Sequence, residues 1–300
     1  MKYQSIVTAV ENTVWCIMPE KLEAICGFLE AKASGVTFDA ETVERVAAAN
    51  RQQRGGTVTR SVGVLPVVGV ISQRMDLLTE FSGGVSTERL GQEFDAMVAN
   101  KDVESIVLDI DSPGGNYYGT PEIAKKIYDA RGTKPIIAQV NAMAGSAAFW
   151  IASAADEIVM TPSGDIGSHG VLAVHYDESA LNETIGVKAT YIHYGKYKVE
   201  GNSDEPLTDE ARGEIQRRVD EAGENFTRAL ATYRGTTPQH VRDHFGQGRM
   251  FGAKEAIDRG MADRIGTLEE TIARRAEGRR VKSRRRAEAA RQRLNLIERS

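Results

Sequence analysis

Cysteine is nearly absent: Cys16 and Cys26 are the two in 300 residues, and both lie near the N-terminus. That scarcity excludes a disulfide framework, and no cluster of Cys, His and carboxylates stands at zinc-ligand spacing. A reducing, cytoplasmic setting is expected. Long apolar runs are missing as well. The longest, Ala147 to Ala155 and Val62 to Ile71, fall well short of the roughly 20 residues that a membrane-spanning helix needs, so no membrane association is expected. The N-terminus reaches Glu11 before an apolar stretch of signal-peptide length has formed, so no export is expected.

What is present is an ordinary globular composition with 41% hydrophobic and 27% charged residues, and 29 glycines that call for many tight turns. The net charge of −4 conceals an asymmetry. Residues Arg274 to Ser300 carry 11 Lys and Arg against three Glu, a net of +8, which leaves −12 for everything before them. This basic C-terminal tail can contact nucleic acid or an acidic protein surface. A solvated terminal helix is the plainer reading, and nucleic-acid contact is not favoured.

Apolar residues at helical spacing predict helices around Lys21 to Ala33 and Ala40 to Ala49, followed by a polar, glycine-paired linker from Arg51. The expected division is an N-terminal helical segment with linker over 1–55, a main domain over 61–273, and the tail over 274–300. Within the main domain β-branched runs alternate with helical ones. Strands are expected at Val64 to Ile71, Ser105 to Ile110, Pro135 to Val140, Glu157 to Met160, Val171 to His175 and Ala189 to His193. Helices are expected at Ser86 to Asn100, Pro121 to Ala130, Gly145 to Ala154 and Thr208 to Tyr233. Strand followed by helix, repeated, indicates an α/β domain with a largely parallel sheet.

In such sheets the working groups gather in loops after the strands. Three loops stand out. Asp111-Ser-Pro-Gly-Gly makes a tight turn whose N–H groups can hold an oxyanion, or is a plain strand-to-helix turn. In Asn141-Ala-Met-Ala-Gly-Ser-Ala-Ala-Phe-Trp, Ser146 follows a glycine and opens an apolar helix, a place for a nucleophile or for an ordinary N-cap. Pro162-Ser-Gly-Asp-Ile-Gly-Ser-His-Gly supplies Ser168 and His169. A serine nucleophile needs a base, and a lysine serves when it is held neutral. Lys196 and Lys198 in Tyr194-Gly-Lys-Tyr-Lys are candidates, against the reading of ordinary surface lysines. The loop Phe81-Ser-Gly-Gly-Val-Ser either lines a substrate groove or is a flexible turn.

The ordered set Asp111-Ser-Pro-Gly-Gly, Gly145-Ser146-Ala-Ala-Phe-Trp, Gly164-Asp-Ile-Gly-Ser168 and Gly195-Lys-Tyr-Lys198 resembles the signal peptide peptidase A family of serine proteases, from about Val64 to Thr271. The resemblance implies a crotonase/Clp-protease-like α/β fold, a superhelix of repeated ββα units. It implies Ser146 as nucleophile, Lys198 as general base with Lys196 only its neighbour, and Ser168 holding the lysine amine. The oxyanion hole would be made by Gly114 or Gly115 with the amide of Ala147. It implies no metal, nucleotide or other cofactor, and it implies a homo-oligomer.

The segment with Trp15 and Pro19, the phrase Gly69-Val-Ile-Ser-Gln-Arg-Met and the Lys196-Tyr-Lys-Val-Glu-Gly-Asn stretch resemble the phage and prophage capsid assembly protease branch. For that branch the expected substrates are scaffold, capsid or portal proteins, and the expected location is the host cytoplasm or the prohead interior. The alternatives are a cytoplasmic bacterial signal-peptide-peptidase-like protease, a Ser-His-Asp triad using His169 or His175, an acyl-CoA-handling crotonase enzyme, and a non-catalytic shell protein of the same fold.

Overall fold

The computed structural model describes residues 13–33, 55–74 and 84–277. The expected helix at 40–49, the linker from Arg51, the loop at 81–83 and the tail from 278 lie outside the described residues.

The centre of the molecule is a parallel sheet. Strand β3 (Val62–Val68) pairs with β6 (Ser105–Ser112), and β6 pairs with β8 (Ile136–Gly145). These strands are β-branched on both faces because both faces are covered. Leu65, Ile106, Leu108, Ile136 and Ala138 point into the main core, and their neighbours Val62, Val107 and Ile137 point into a second cluster with Val159. The edge strand β2 (Thr57–Thr59) adds antiparallel to β3.

β8 forks. Its first half, Ile137 to Val140, pairs with β9 (Glu157–Met160), and its last three residues pair instead with β10 (Asp165–Gly167). The register between β6 and β8 slips after Ile110, and this irregularity lets the end of β8 turn away. β10 is closed off by antiparallel β11 (Met250–Gly252), and β9 by parallel β12 (Arg264–Ile265).

A second, smaller sheet has the order β1-β7-β4-β5, built from β1 (Trp15–Ile17), β4 (Ile71–Ser72), β5 (Val85–Ser86) and β7 (Gly114–Asn116). Two long strands of the main sheet are thus each continued by a short one in the second, β3 by β4 and β6 by β7. β3 and β4 are followed by α2 (Thr87–Ala99), and β6 and β7 by α3 (Thr120–Asp129), which is the expected ββα repeat. Helix α1 (Pro19–Ala33) follows β1. Helix α4 (Ala147–Ser153) follows β8 at once and is buried along its whole length. Beyond it come α5 (Ser179–Thr184), α6 (Asp209–Tyr233), α7 (Pro238–His244) and α8 (Ala253–Asp258). Ser86 and Thr208 cap α2 and α6 through their hydroxyls.

Two expected strands do not form. Of Val171 to His175, only Leu172 makes a bridge, to Trp15. The stretch 189–193 is exposed coil, with Ile192 98% exposed. Its aromatic and β-branched residues have strand propensity, but propensity without a neighbouring edge does not make a strand.

Arg131 ties the site helix in place. It donates to the carbonyls of Ala154 (2.9 Å), Ser153 (2.9 Å), Ala155 and Tyr233 (3.2 Å), at the C-terminal ends of α4 and α6. Arg131→Met leaves these half-buried carbonyls without their charged donor. It is expected to lower unfolding stability by about 3 kcal/mol, read as a lower denaturant midpoint at unchanged m-value.

Candidate active site

Ser146 is the only residue between the last residue of β8 and the first of α4. Passing from strand to helix in one step forces it to φ 50°, ψ −111°, a conformation that L side chains rarely adopt. Two main-chain bonds hold it there: its N–H donates to Gly167 O at 2.8 Å, and its carbonyl accepts from Trp150 N at 3.0 Å. The hydroxyl does not cap α4. It donates away from the helix, to Gly170 O at 3.3 Å, so the N-cap alternative does not describe this serine. The residue is fully buried.

Close approach of strands explains the glycines around it. A Cβ on Gly114, at φ 98°, would lie 2.3 Å from Cys16 O, 2.8 Å from Gly145 O and 3.1 Å from Ala147 N. A Cβ on Gly115 would lie 1.9 Å from Ile71 O. The Ser-Pro-Gly-Gly turn therefore packs directly on the turn that carries Ser146, and Gly114 lies against Ala147. The Gly114 N–H donates to Ser112 Oγ (3.2 Å), which itself donates to Gly69 O (2.6 Å).

Ser168 is also brought in. Gly167 stands opposite Gly145 in the β8–β10 register, so Ser146 and Ser168 leave two adjacent parallel strands side by side. Ser168 is likewise at positive φ (53°), and its N–H is held by Arg249 O at 2.8 Å.

Neither lysine is hydrogen-bonded to these serines. Lys198 is exposed on a turn and lines a pocket with Thr13, Val14, His175, Tyr191 and Arg218. Among the described residues no hydrogen bond joins it to Ser146 or Ser168. Lys196 is engaged by Glu210 (2.8 Å) and by the Tyr197 hydroxyl (3.0 Å), which hold its ammonium above the ordinary lysine range.

Neither candidate histidine bonds Ser146. His175 meets Asn202 O at 3.2 Å. His169 is buried, with its ring edge on Phe226 and Nε2 3.0 Å from Thr227 Oγ1. That hydroxyl spends its proton on Gly223 O, so His169 Nε2 carries the hydrogen and Nδ1 is left unpartnered. Burial, and then the positive Arg242, push its pKa down to about 4.

Sequence reasoning missed β1. It lies antiparallel on β7 across the glycine turn, with Ile17 opposite Gly114. The one signal was the apolar run Val14 to Met18 ahead of Pro19, which by itself names no partner strand. No group of three or more His, Cys, Asp or Glu that could hold a metal occurs among the described residues. No described helix is long and apolar enough to cross a membrane.

Two outcomes follow from this geometry. Glycine adopts the Ser146 backbone without strain, so Ser146→Gly should be more stable than Ser146→Ala by about 1 kcal/mol in chemical unfolding. For His169, the folded state resists protonation while the unfolded chain accepts it. Stability is therefore expected to fall as pH drops from 6.5 to about 4, by up to about 3 kcal/mol, and a His169→Gln variant should show a flatter profile.

Comparison with known proteins places the chain in a family. The chain is 33% identical over 262 residues to the head-tail preconnector protein GP5 of Enterobacteria phage P21, covering 86% of this chain and 52% of that protein. It is 34% identical over 215 residues to capsid assembly protease C of Escherichia phage lambda, covering 72% and 48%. To the chloroplastic serine protease SPPA of Arabidopsis thaliana it is 28% identical over 213 residues, covering 71% and 31%. The chain thus spans about half the length of the two phage proteins. Residues 129–282 match the model of peptidase family S49, and the chain belongs to that family.

Proposed function

We propose that this protein is a serine endopeptidase in which Ser146 attacks the scissile carbonyl. The observation that carries the reading is Ser146 itself, held at positive φ with its hydroxyl turned away from the helix it precedes. A strained, uncapped serine costs stability, and an S49 peptidase has a use for it. Ser168, beside it in register, orients the base. The oxyanion is held by main-chain N–H groups of the turn at Gly115, or at Gly114 once its N–H leaves Ser112 Oγ, and by Ala147, each donor worth about 3 kcal/mol in the transition state. Acyl-enzyme formation and its hydrolysis by water follow.

Lys198 is the base in this reading, and its amine has to come within hydrogen-bond reach of the serine. It sits on a stretch whose Ile192 and Tyr194 are each 98% exposed, with Leu181, Ile185 and Val187 also bare. Docking such a surface buries those side chains. The partner we take is a second copy of the chain, which makes the active form a homo-oligomer. The substrates we assign are scaffold, capsid or portal proteins of a phage prohead, by likeness to the two phage relatives.

The test follows hydrolysis of casein and of short apolar peptides from about pH 6 to about pH 10. Ser146→Ala and Lys198→Ala should each lose activity by about a thousandfold or more. Wild-type activity should climb toward alkaline pH, since only a neutral amine accepts the serine proton. Activity that survives Lys198→Ala but not His169→Ala or His175→Ala would install a triad instead, and a wild type that cuts nothing would favour the shell-protein reading.

A further inference from the structure

β1 is hydrogen-bonded along both edges. On one side it runs antiparallel to β7, from Tyr117 N to Val14 O (3.1 Å) through Cys16 opposite Gly115 to Met18 N on Pro113 O (3.0 Å). On the other, Trp15 N donates to Leu172 O (2.8 Å) and Leu172 N to Trp15 O (3.0 Å). Leu172 lies two residues past Gly170, the acceptor for the Ser146 hydroxyl. The Cys16 carbonyl lies against Gly114, and Met18 Cγ and Sδ come within 3.1 Å of where a Cβ on Gly145 would be. The segment therefore crosses the Gly145–Ala147 turn as an extended peptide, and Ser146 beside it has no exposed surface.

An endopeptidase must bring an extended backbone to that same serine, and such peptides bind by adding to open strand edges while alternate side chains fill pockets. Here the edge of β7 and the opposing Leu172 form such a slot, and it is already filled. Its occupant is anchored mainly outside the main core: Trp15 and Ile17 pack with Leu22, Cys26 and Val70 in a separate small cluster, and only Cys16 reaches inward. The β1–α1 unit continues to the rest of the chain through residues 34–54, which lie outside the described residues.

We infer that Val14–Met18 is a resident stand-in for substrate, an autoinhibitory strand that occupies the peptide slot over Ser146 and must leave before a protein substrate enters. This rests on Ser146 being the nucleophile. The slot takes an extended apolar segment with a small residue at the position of Cys16, flanked by large ones at the positions of Trp15 and Ile17.

The two cysteines of the chain are both buried thiols, which makes Cys16 a built-in reporter of release. In the full-length protein, Trp15→Pro removes the N–H that donates to Leu172, and Ile17→Asp opposes burial of the neighbouring side chain. Each is expected to speed labelling of Cys16 by a thiol reagent about tenfold and to raise hydrolysis of a short apolar peptide by the same factor, as the open fraction grows. Faster labelling with no gain in hydrolysis by an otherwise active enzyme overturns the inference. So that the result does not hang on variants that misfold, the wild type is also titrated with a synthetic peptide copying Thr13 to Glu20. Competition for the slot should raise the Cys16 labelling rate with peptide concentration, and a rate independent of peptide overturns the inference. Peptide-dependent labelling without hydrolysis by any form sinks the nucleophile reading alone and leaves the slot standing.

Discussion

Three glycines from three strands, Gly114, Gly145 and Gly167, converge where a strand ends and a helix begins with one residue between them. Gly114 and Gly167 have no room for a Cβ, and one on Gly145 would be tight. On Gly167 it would lie 2.3 Å from Arg249 O, and on Gly145 3.0 Å from Pro113 O. The main chain is therefore packed against itself, and Ser146 is left with a backbone conformation worth about 1–3 kcal/mol of strain. The surroundings bear that cost: α4 is buried from Ala147 to Ser153, with Trp150 stacked on Phe226 at 4.5 Å, and Arg131 holds its far end. The forked β8, the slipped register with β6 and the glycine turn of β7 all follow from fitting these strands around one point.

That point explains what was legible in the sequence. The strand runs at 105–110 and 136–140 and the helices Thr87–Ala99 and Asp209–Tyr233 announced themselves by alternating β-branched and helical runs, whereas residues 111–112 and 141–145, expected as loop, are strand in β6 and β8. Ser146, Gly114 and Ser168 announced themselves as a serine or glycine in the loop after a strand, and the chain brings all three to one place. The short strands β7 and β10 did not, because Gly114–Asn116 and Asp165–Gly167 have little propensity of their own and exist only as edges for their neighbours. The opposite error fell at 189–193, where propensity is strong and no described strand lies alongside. The docking of β1 was illegible for a related reason: its partner β7 lies about a hundred residues away, and no local pattern encodes that pairing.

The two surprises concern access rather than chemistry. The expected base stands on an exposed, apolar-studded turn, and the expected nucleophile is fully buried, with β1 packed against the glycines on either side of it. Assembly would bring the lysine in, and substrate would push the strand out. The S49 membership and the phage relatives set the context, while the burial of Ser146 supplies the physical reason for expecting a gated enzyme.

The most direct measurement is mass-spectrometric mapping of the adduct formed with a serine-reactive fluorophosphonate on the full-length protein under conditions where it cleaves peptide. The account predicts a single modified serine, Ser146, with modification slowed in Lys198→Ala. An adduct on another serine, or undiminished labelling of a Ser146→Ala variant, would contradict it.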